Sequence, residues 1–396
     1  MEFKNVSLRL LSIVVKFLSL AFISRGLSNA ELDMYFLILS IAAVISQIFG
    51  LQTFHLSMKT FNKDGNKAII DTQIYQHAIT FTFVIFLTII FHKPLTAHFT
   101  IYSWILILVV ILEIIVVELS RFFIVIGRSL YSNIVACANS FNYLFFGLLV
   151  SFYPEYFDGL KFWWVTVVPT IFICVYLFLV VFKWESYTFF TKVISFKEVN
   201  QLVCRSYPYL VSQVFNLSII YFSRFILERQ KEELILAYYS ILFSFANLVS
   251  VFIAVGIIAP MAPAYLQKKN AQLRGMLVKT ISYSLVMITM LYLSFSLLVD
   301  FVGKSGLLAY KLEFLMLLAG TAFMSISQVM QLYFLKSEDD IINLKSYGLC
   351  FIISITLSIY LVPKFHLLGA SIAYFISSLG LLLARMFYFK TRLKLT

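Results

Sequence analysis

The chain has 396 residues, of which hydrophobic types make up 61% and charged types only 13%; 31 Lys and Arg against 19 Asp and Glu leave a net charge of +12. Soluble domains are about 45–50% apolar and about 25% charged, so this balance excludes a water-soluble globule and points to a membrane protein. The positive charge calls for no nucleic acid, because basic loops on one side of a membrane account for most of it.

An apolar stretch of about 20 residues crosses the roughly 30 Å hydrocarbon core as a helix, since only a helix or a closed barrel satisfies every backbone N–H and C=O internally. The runs here are continuous rather than alternating, so the expected fold class is an all-α integral membrane protein. In chain order they fall at residues 7–25, 34–54, 74–92, 101–121, 131–152, 163–182, 206–227, 236–258, 277–299, 312–335, 345–362 and 367–388, about twelve transmembrane helices. The first run is too long for a signal-peptide core, lacks an A-x-A-like cleavage site and is interrupted by Lys16, so it reads as an uncleaved first helix.

An even number of spans puts both termini on one side. On that side fall 21 of the 31 Lys and Arg, including Lys59, Lys63, Lys67, Lys268 and Lys269, against 9 on the other, with Lys16 inside the membrane. The positive-inside rule therefore predicts cytoplasmic N- and C-termini. Tyr102 and Trp104, Tyr153 and Tyr156, Trp163 and Trp164, and Trp184 with Tyr187 stand at predicted span ends, where amphipathic rings prefer the headgroup layer.

Cys137, Cys174, Cys204 and Cys350 form no Cys-x-x-Cys pair, and His55, His77, His92, His98 and His366 lack ligand spacing, so no disulfide, metal or cofactor is expected. No phosphate-binding G-x-x-x-x-G-K-[ST] loop occurs, which argues against a built-in ATPase. Outer loops are short, and the longest polar stretch is the link over 183–205. A membrane enzyme acting outside the bilayer needs a sizeable loop to carry its site, so the chain is expected not to be an enzyme.

Two stretches echo each other. FISRGLSNAELDMYFLILS begins at residue 22, and YFSRFILERQKEELILAYYSILFS begins at residue 221. Ser24-Arg25 aligns with Ser223-Arg224, and after a short insertion Tyr35, Ser40, Ala42 and Ser46 align with Tyr239, Ser244, Ala246 and Ser250. The pattern reads as a parallel duplication: a six-helix half at 1–182, a cytoplasmic linker at 183–205 and a second six-helix half at 206–396. Two similar halves predict alternating access around a site near the bilayer midplane, which is the behaviour of a transporter.

FLSLAFISRGLSNAELDMYFLILS near the N-terminus, SYPYLVSQVFNLSIIYFSRFIL in the seventh span and LLGASIAYFIS near the end resemble Wzx-type O-antigen and polysaccharide flippases, relatives of the multidrug and toxic compound extrusion transporters. The resemblance implies a carrier of an undecaprenyl-pyrophosphate-linked oligosaccharide across a bacterial cytoplasmic (inner) membrane. It implies membrane lipids, a coupling ion (proton or sodium), and a polysaccharide polymerase with its chain-length machinery as partners. Many relatives carry Asp before the Arg of the seventh helix; here the position is Ser223, which removes an acid that could couple an ion.

An unpaired hydroxyl costs roughly 2–7 kcal/mol in an apolar medium, so an oligosaccharide needs a polar path, with cations for the pyrophosphate. Candidate lining residues are Gln213, Asn216 and Arg224 in span seven, Ser240, Ser244 and Asn247 in span eight, Thr321, Ser325 and Gln328 in span ten, Ser12, Lys16 and Ser19 in span one, and Asn139 with Asn142 in span five. Such stripes also serve as helix-to-helix hydrogen-bonding seams. Lys16 either lines the cavity or snorkels to the headgroups, and the paired Arg25 and Arg224 either anchor span ends or receive the lipid phosphate. Glu118 and Arg121 are spaced to pair within one helix. Glu113 has no such partner, and is expected either to couple the transported ion or to pair with another helix, such as that of Lys16. Glu313 and Arg385 lie near span ends and are expected at the interface.

Three alternatives stay open. A small-molecule antiporter of the same superfamily would want acids at its centre. A polysaccharide polymerase or acyltransferase would want a large outer loop. A major-facilitator carrier would want a glycine- and arginine-rich link where HLSMKTFNKDGNKA stands.

Overall fold

Apolar runs this long leave the backbone no partner in lipid but itself, and the described parts of them fold as helices. A computed structural model of the chain describes residues 2–54, 56–57, 71–82, 86, 103–126, 128–156, 159–184, 195–230, 234–258, 261, 265, 271–337 and 339–393. Its helices are α1 (Glu2–Gly26), α2 (Asn29–Phe49), α3 (71–82), α4 (Ser103–Val125), α5 (Ser129–Phe152), α6 (Trp164–Trp184), α7 (Phe196–Arg229), α8 (Ile235–Ile253), α9 (Ala271–Leu293), α10 (Phe295–Val302), α11 (Lys311–Lys336) and α12 (Asp340–Leu393). A helix stands at each of the twelve predicted runs, and no strand occurs among the described residues. Seven of the described helices are long and apolar enough to cross a membrane. The predicted loop cations Lys59, Lys63 and Lys67, and His55, His92 and His98, lie outside the described residues, as do 185–194 of the expected linker.

The chain forms two compact units, one of Met1–Glu31 with Ile38–Gln213, the other of Leu32–Leu37 with Val214–Thr396. In the first, α1 lies along α5: Ser12 and Ser140 share a hydrogen bond of 2.6 Å, and Ser151 Oγ donates to the Phe22 carbonyl at 2.6 Å. The turn before α2 is closed by Glu31. Its Oε2 accepts from Ser28 N–H at 3.3 Å and Ser28 Oγ–H at 2.8 Å, while Oε1 accepts from Leu160 N–H at 3.0 Å. This is half of a Ser-x-x-Glu capping box, extended to a second loop. Gly159, next to Leu160, has φ of 76°, and a Cβ there would stand 1.8 Å from Glu31 Oε1.

Helix α7 begins at Phe196, well before the apolar run at 206, because Ser195 and Glu198 start it early. Ser195 N–H donates to Glu198 Oε2 at 3.0 Å, and Glu198 N–H donates to Ser195 Oγ at 3.3 Å, a complete capping box.

In the second unit α8 opens from Leu234, held at φ of 68°. Its free N–H groups are capped by Asp33, which accepts from Leu234 N–H at 2.9 Å and Ala237 N–H at 2.6 Å. The last two predicted runs form one element, α12, that folds back at His366 (φ 47°, ψ −119°). Pro363, lacking an N–H, weakens the helix just before the break. Gly369 lets the return arm close, since a Cβ there would lie 2.3 Å from the Leu361 carbonyl oxygen.

Candidate translocation site

In the first unit Glu113 of α4 faces α5. Asn139 Nδ2–H donates to its Oε1 at 3.0 Å, and Tyr143 O–H donates to the same oxygen. The partner helix is thus α5, not the helix of Lys16. Asn139 and Asn142 are both buried, so the polar pair of the fifth span lies inside the unit with Glu113 beside it. Lys16 is exposed, whereas Ser12 and Ser19 of the same stripe are buried; Ser19 Oγ donates to the Lys16 carbonyl at 2.7 Å. Arg25 is exposed in the last turn of α1, where a cation complements the helix dipole. Glu118 and Arg121 form the expected pair at 2.8 Å. A third member was invisible in the sequence: His77 Nε2 lies 2.9 Å from Glu118 Oε2.

In the second unit Arg224 is only 6% exposed. Its guanidinium carbon sits 4.9 Å from the Tyr221 ring, 4.9 Å from the Phe243 ring and 5.9 Å from the Tyr239 ring. Cation–π attraction of this kind, up to about 2 kcal/mol when desolvated, offsets part of the burial of the charge. Ser223 shares a 2.9 Å hydrogen bond with Ser358. Gln213 and Asn216 are half-buried on α7, which the unit boundary divides between them, and Asn247 and Gln328 are half-buried on α8 and α11.

The hydroxyls along the predicted stripes turn to backbone carbonyls. Ser244 Oγ donates to Ser240 O at 2.7 Å, Ser325 Oγ to Thr321 O at 2.8 Å, and Thr321 Oγ1 to Ala246 O at 3.1 Å on the facing helix. Thr321 therefore joins α11 to α8, as small polar residues do between membrane helices.

Arg385 corrects the expectation of an interfacial residue. It is fully buried, donates from Nη1 to Ser327 O and Ser327 Oγ at 2.8 Å each and from Nη2 to Gln331 Oε1 at 3.4 Å, and stacks 4.5 Å from the Tyr347 ring. The reason is length: α12 continues to Leu393, so Arg385 lies two turns inside its end. The apolar MFYF that follows it, ahead of Lys390, was the available signal. Among the described residues the buried charged side chains of this unit are thus two cations, Arg224 and Arg385, and no acid.

The chain shares its fold with solved transporter structures, and seven of its described helices are long and apolar enough to cross a membrane. In particular it is similar to the lipid II flippase MurJ in an inward closed conformation, with a TM-score of 0.72 and 14% identity over 98% of this chain and 87% of that one. It is similar to a mutant of the Vibrio cholerae MATE transporter VcmN, with a TM-score of 0.73 and 12% identity over 100% and 97%. An inward-facing multidrug resistance MATE family transporter of the MOP superfamily matches with a TM-score of 0.67 and 11% identity over 100% and 98%. No family model matches the chain, and no curated protein matches it in sequence.

Proposed function

We propose that the chain is a flippase, without enzymatic chemistry of its own. It carries an undecaprenyl-pyrophosphate-linked oligosaccharide from the cytoplasmic to the periplasmic leaflet of a bacterial inner membrane by alternating access of a repeated pair of six-helix halves, with both termini cytoplasmic. One observation carries the reading: the buried charges described in the second unit are both arginines. An interior whose described buried charges are all positive suits a pyrophosphate and repels a cationic drug.

In this reading Arg224 receives the pyrophosphate, with its planar fork matched to phosphate oxygens. Lys16 and Arg25 add positive charge along the route, and the amides and hydroxyls of Gln213, Asn216, Ser244, Asn247 and Gln328 replace water around the sugar. Glu113 is the coupling carboxylate: it is half-buried, already accepts two hydrogen bonds, and the seventh helix offers Ser223 in place of an acid. The product would pass to a polysaccharide polymerase and its chain-length machinery.

A second reading, an ion-coupled antiporter of small molecules, is favoured by the likeness to MATE transporters, which equals that to the flippase. One experiment separates them. With the gene deleted and lipid-linked sugars labelled, intermediates held on the cytoplasmic leaflet with no surface polymer support the flippase. Single units exposed on the outer leaflet would mean a polymerase or ligase, and normal surface polymer would favour the antiporter.

A further inference from the structure

In the proposed transport it is Arg224 that receives the pyrophosphate, which leaves Arg385 without a ligand. Ser327 and Gln331 stand four residues apart on α11 and so share a face. The guanidinium of Arg385, on the return arm of α12, lies against that face, with the Tyr347 ring of the first arm 4.5 Å away. Nη1–H donates to Ser327 O and Ser327 Oγ at 2.8 Å each. The opposite edge, formed by Nε–H and Nη2–H, is left open. Nη2–H reaches only Gln331 Oε1 at 3.4 Å, and Nε is buried with no hydrogen-bond partner among the described residues. Every described partner of this cation is neutral.

A buried charge with no ion partner and one donor unsatisfied is costly to fold. The edge left over has the shape of an oxyanion receptor, because Nε–H and Nη2–H run parallel and match two oxygens of one phosphate or carboxylate. Gln331 Oε1 stands where one of those oxygens would sit. It is a neutral acceptor held at long range, and it already accepts from Tyr347 O–H at 3.2 Å. An ionised oxygen accepts from a guanidinium at about 2.7–2.9 Å and roughly twice as strongly. Gln331 is half-buried, so its amide can swing aside while the helices stay packed.

Gln331, Tyr347 and Arg385 lie within about one turn of the ends of their apolar runs, at 335, 345 and 388. A short turn joins α11 to α12, and α12 folds back at His366, so these three run ends fall on one side of the unit. Lys345 and Lys390 stand exposed at the same ends and draw anions toward them. The end of an apolar run is the level of the lipid headgroups, where a bilayer supplies phosphate rather than carboxylate oxygens in quantity.

We propose that Arg385 is the centre of a phosphate-binding site at this end of the second unit. Two phosphate oxygens take Nε and Nη2, displacing Gln331 Oε1, while Ser327 keeps Nη1 and the Tyr347 ring keeps the guanidinium in plane. The site is distinct from Arg224, and its occupancy does not depend on what the chain transports.

The test uses the purified full chain in detergent, with dioleoyl phosphatidylglycerol as the probe and phosphatidylcholine, whose own choline neutralises its phosphate, as the reference. Native mass spectra record how much of each lipid the chain retains as it is titrated. The expected result is a preference for phosphatidylglycerol that falls about tenfold in Arg385→Lys, which keeps the charge but loses one arm of the fork. Gln331→Glu sets a carboxylate against the open edge, so it should fold at least as well as wild type and abolish the preference by filling the site from within. Lys345→Gln, a surface cation at the same end, should leave the preference unchanged. Inorganic phosphate that displaces the lipid, and that alone raises the thermal midpoint of wild type but not of Gln331→Glu, would identify free phosphate as the ligand; phosphatidylglycerol that stays bound would identify the headgroup. A preference that survives in Gln331→Glu overturns the proposal. So does a preference lost equally in Lys345→Gln, which means diffuse surface attraction, or a wild-type chain that neither prefers phosphatidylglycerol nor responds to inorganic phosphate. Because no transport is measured, none of these results bears on the flippase reading.

Discussion

Replacing Arg224 asks whether its charge is there for the fold or for a phosphate. The guanidinium is buried against three rings at 4.9, 4.9 and 5.9 Å. If it were only structural, Arg224→Met would remove both the cation–π attraction and the desolvation of the charge. Such exchanges of buried charge for a well-packed apolar side chain are often neutral, or stabilising by about 1–4 kcal/mol. If the fork instead binds a pyrophosphate, each charge-assisted hydrogen bond contributes about 1.5–3 kcal/mol. Arg224→Lys keeps the charge but loses one arm of the fork, so transport should fall about ten- to a hundredfold, at about 1.4 kcal/mol per factor of ten. Arg224→Met loses both arms and should fall by more than about a hundredfold on the same scale. The assay is the rate at which labelled lipid-linked sugar reaches the outer leaflet in deletion cells carrying each variant, normalised to protein in the membrane. An Arg224→Met protein that transports at the wild-type rate would refute the phosphate role and leave the rings as packing alone.

Further outcomes follow from the same geometry. Glu113→Gln keeps the shape and an acceptor for Asn139 and Tyr143, and should retain folding while transport loses its dependence on an imposed proton or sodium gradient; a gradient response equal to wild type rejects Glu113 as the coupling group. Gly369→Ala forces a methyl to within 2.3 Å of the Leu361 carbonyl oxygen, so the hairpin of α12 must open and the thermal midpoint in detergent should drop by several degrees. An unchanged midpoint would mean that the arms can part at no cost. Arg385→Ala leaves a cavity and an unpartnered Ser327 hydroxyl, the latter alone a loss of about 1–3 kcal/mol, whereas Arg385→Met should hold stability near wild type. Equal loss in both variants would show that the charge itself stabilises the fold.

The helices at the twelve apolar runs were legible in the sequence because lipid offers the backbone no partner, so each span had to announce itself as a continuous apolar run. Pairings within one helix were legible for a similar reason: Glu118 and Arg121 stand three residues apart, and helical geometry alone brings them to 2.8 Å. Capping boxes belong to the same local class. Ser195 and Glu198 begin α7 ahead of its apolar run by chemistry written in four consecutive residues.

What helical period could not reveal is which face meets what. Ser24-Arg25 and Ser223-Arg224 are the same dipeptide, yet Arg25 is exposed and Arg224 is buried. The difference arises from Tyr239 and Phe243, which α8 brings to Arg224 from outside its own helix. His77 looked solitary until α3 packed on α4, and Arg385 looked interfacial until α12 ran on to Leu393 and laid it against Ser327. Helices and the contacts inside each follow from residue spacing along one axis, which the amino-acid order carries. Which charges are buried, and with whom, depends on the surfaces of other helices, and no local pattern encodes them.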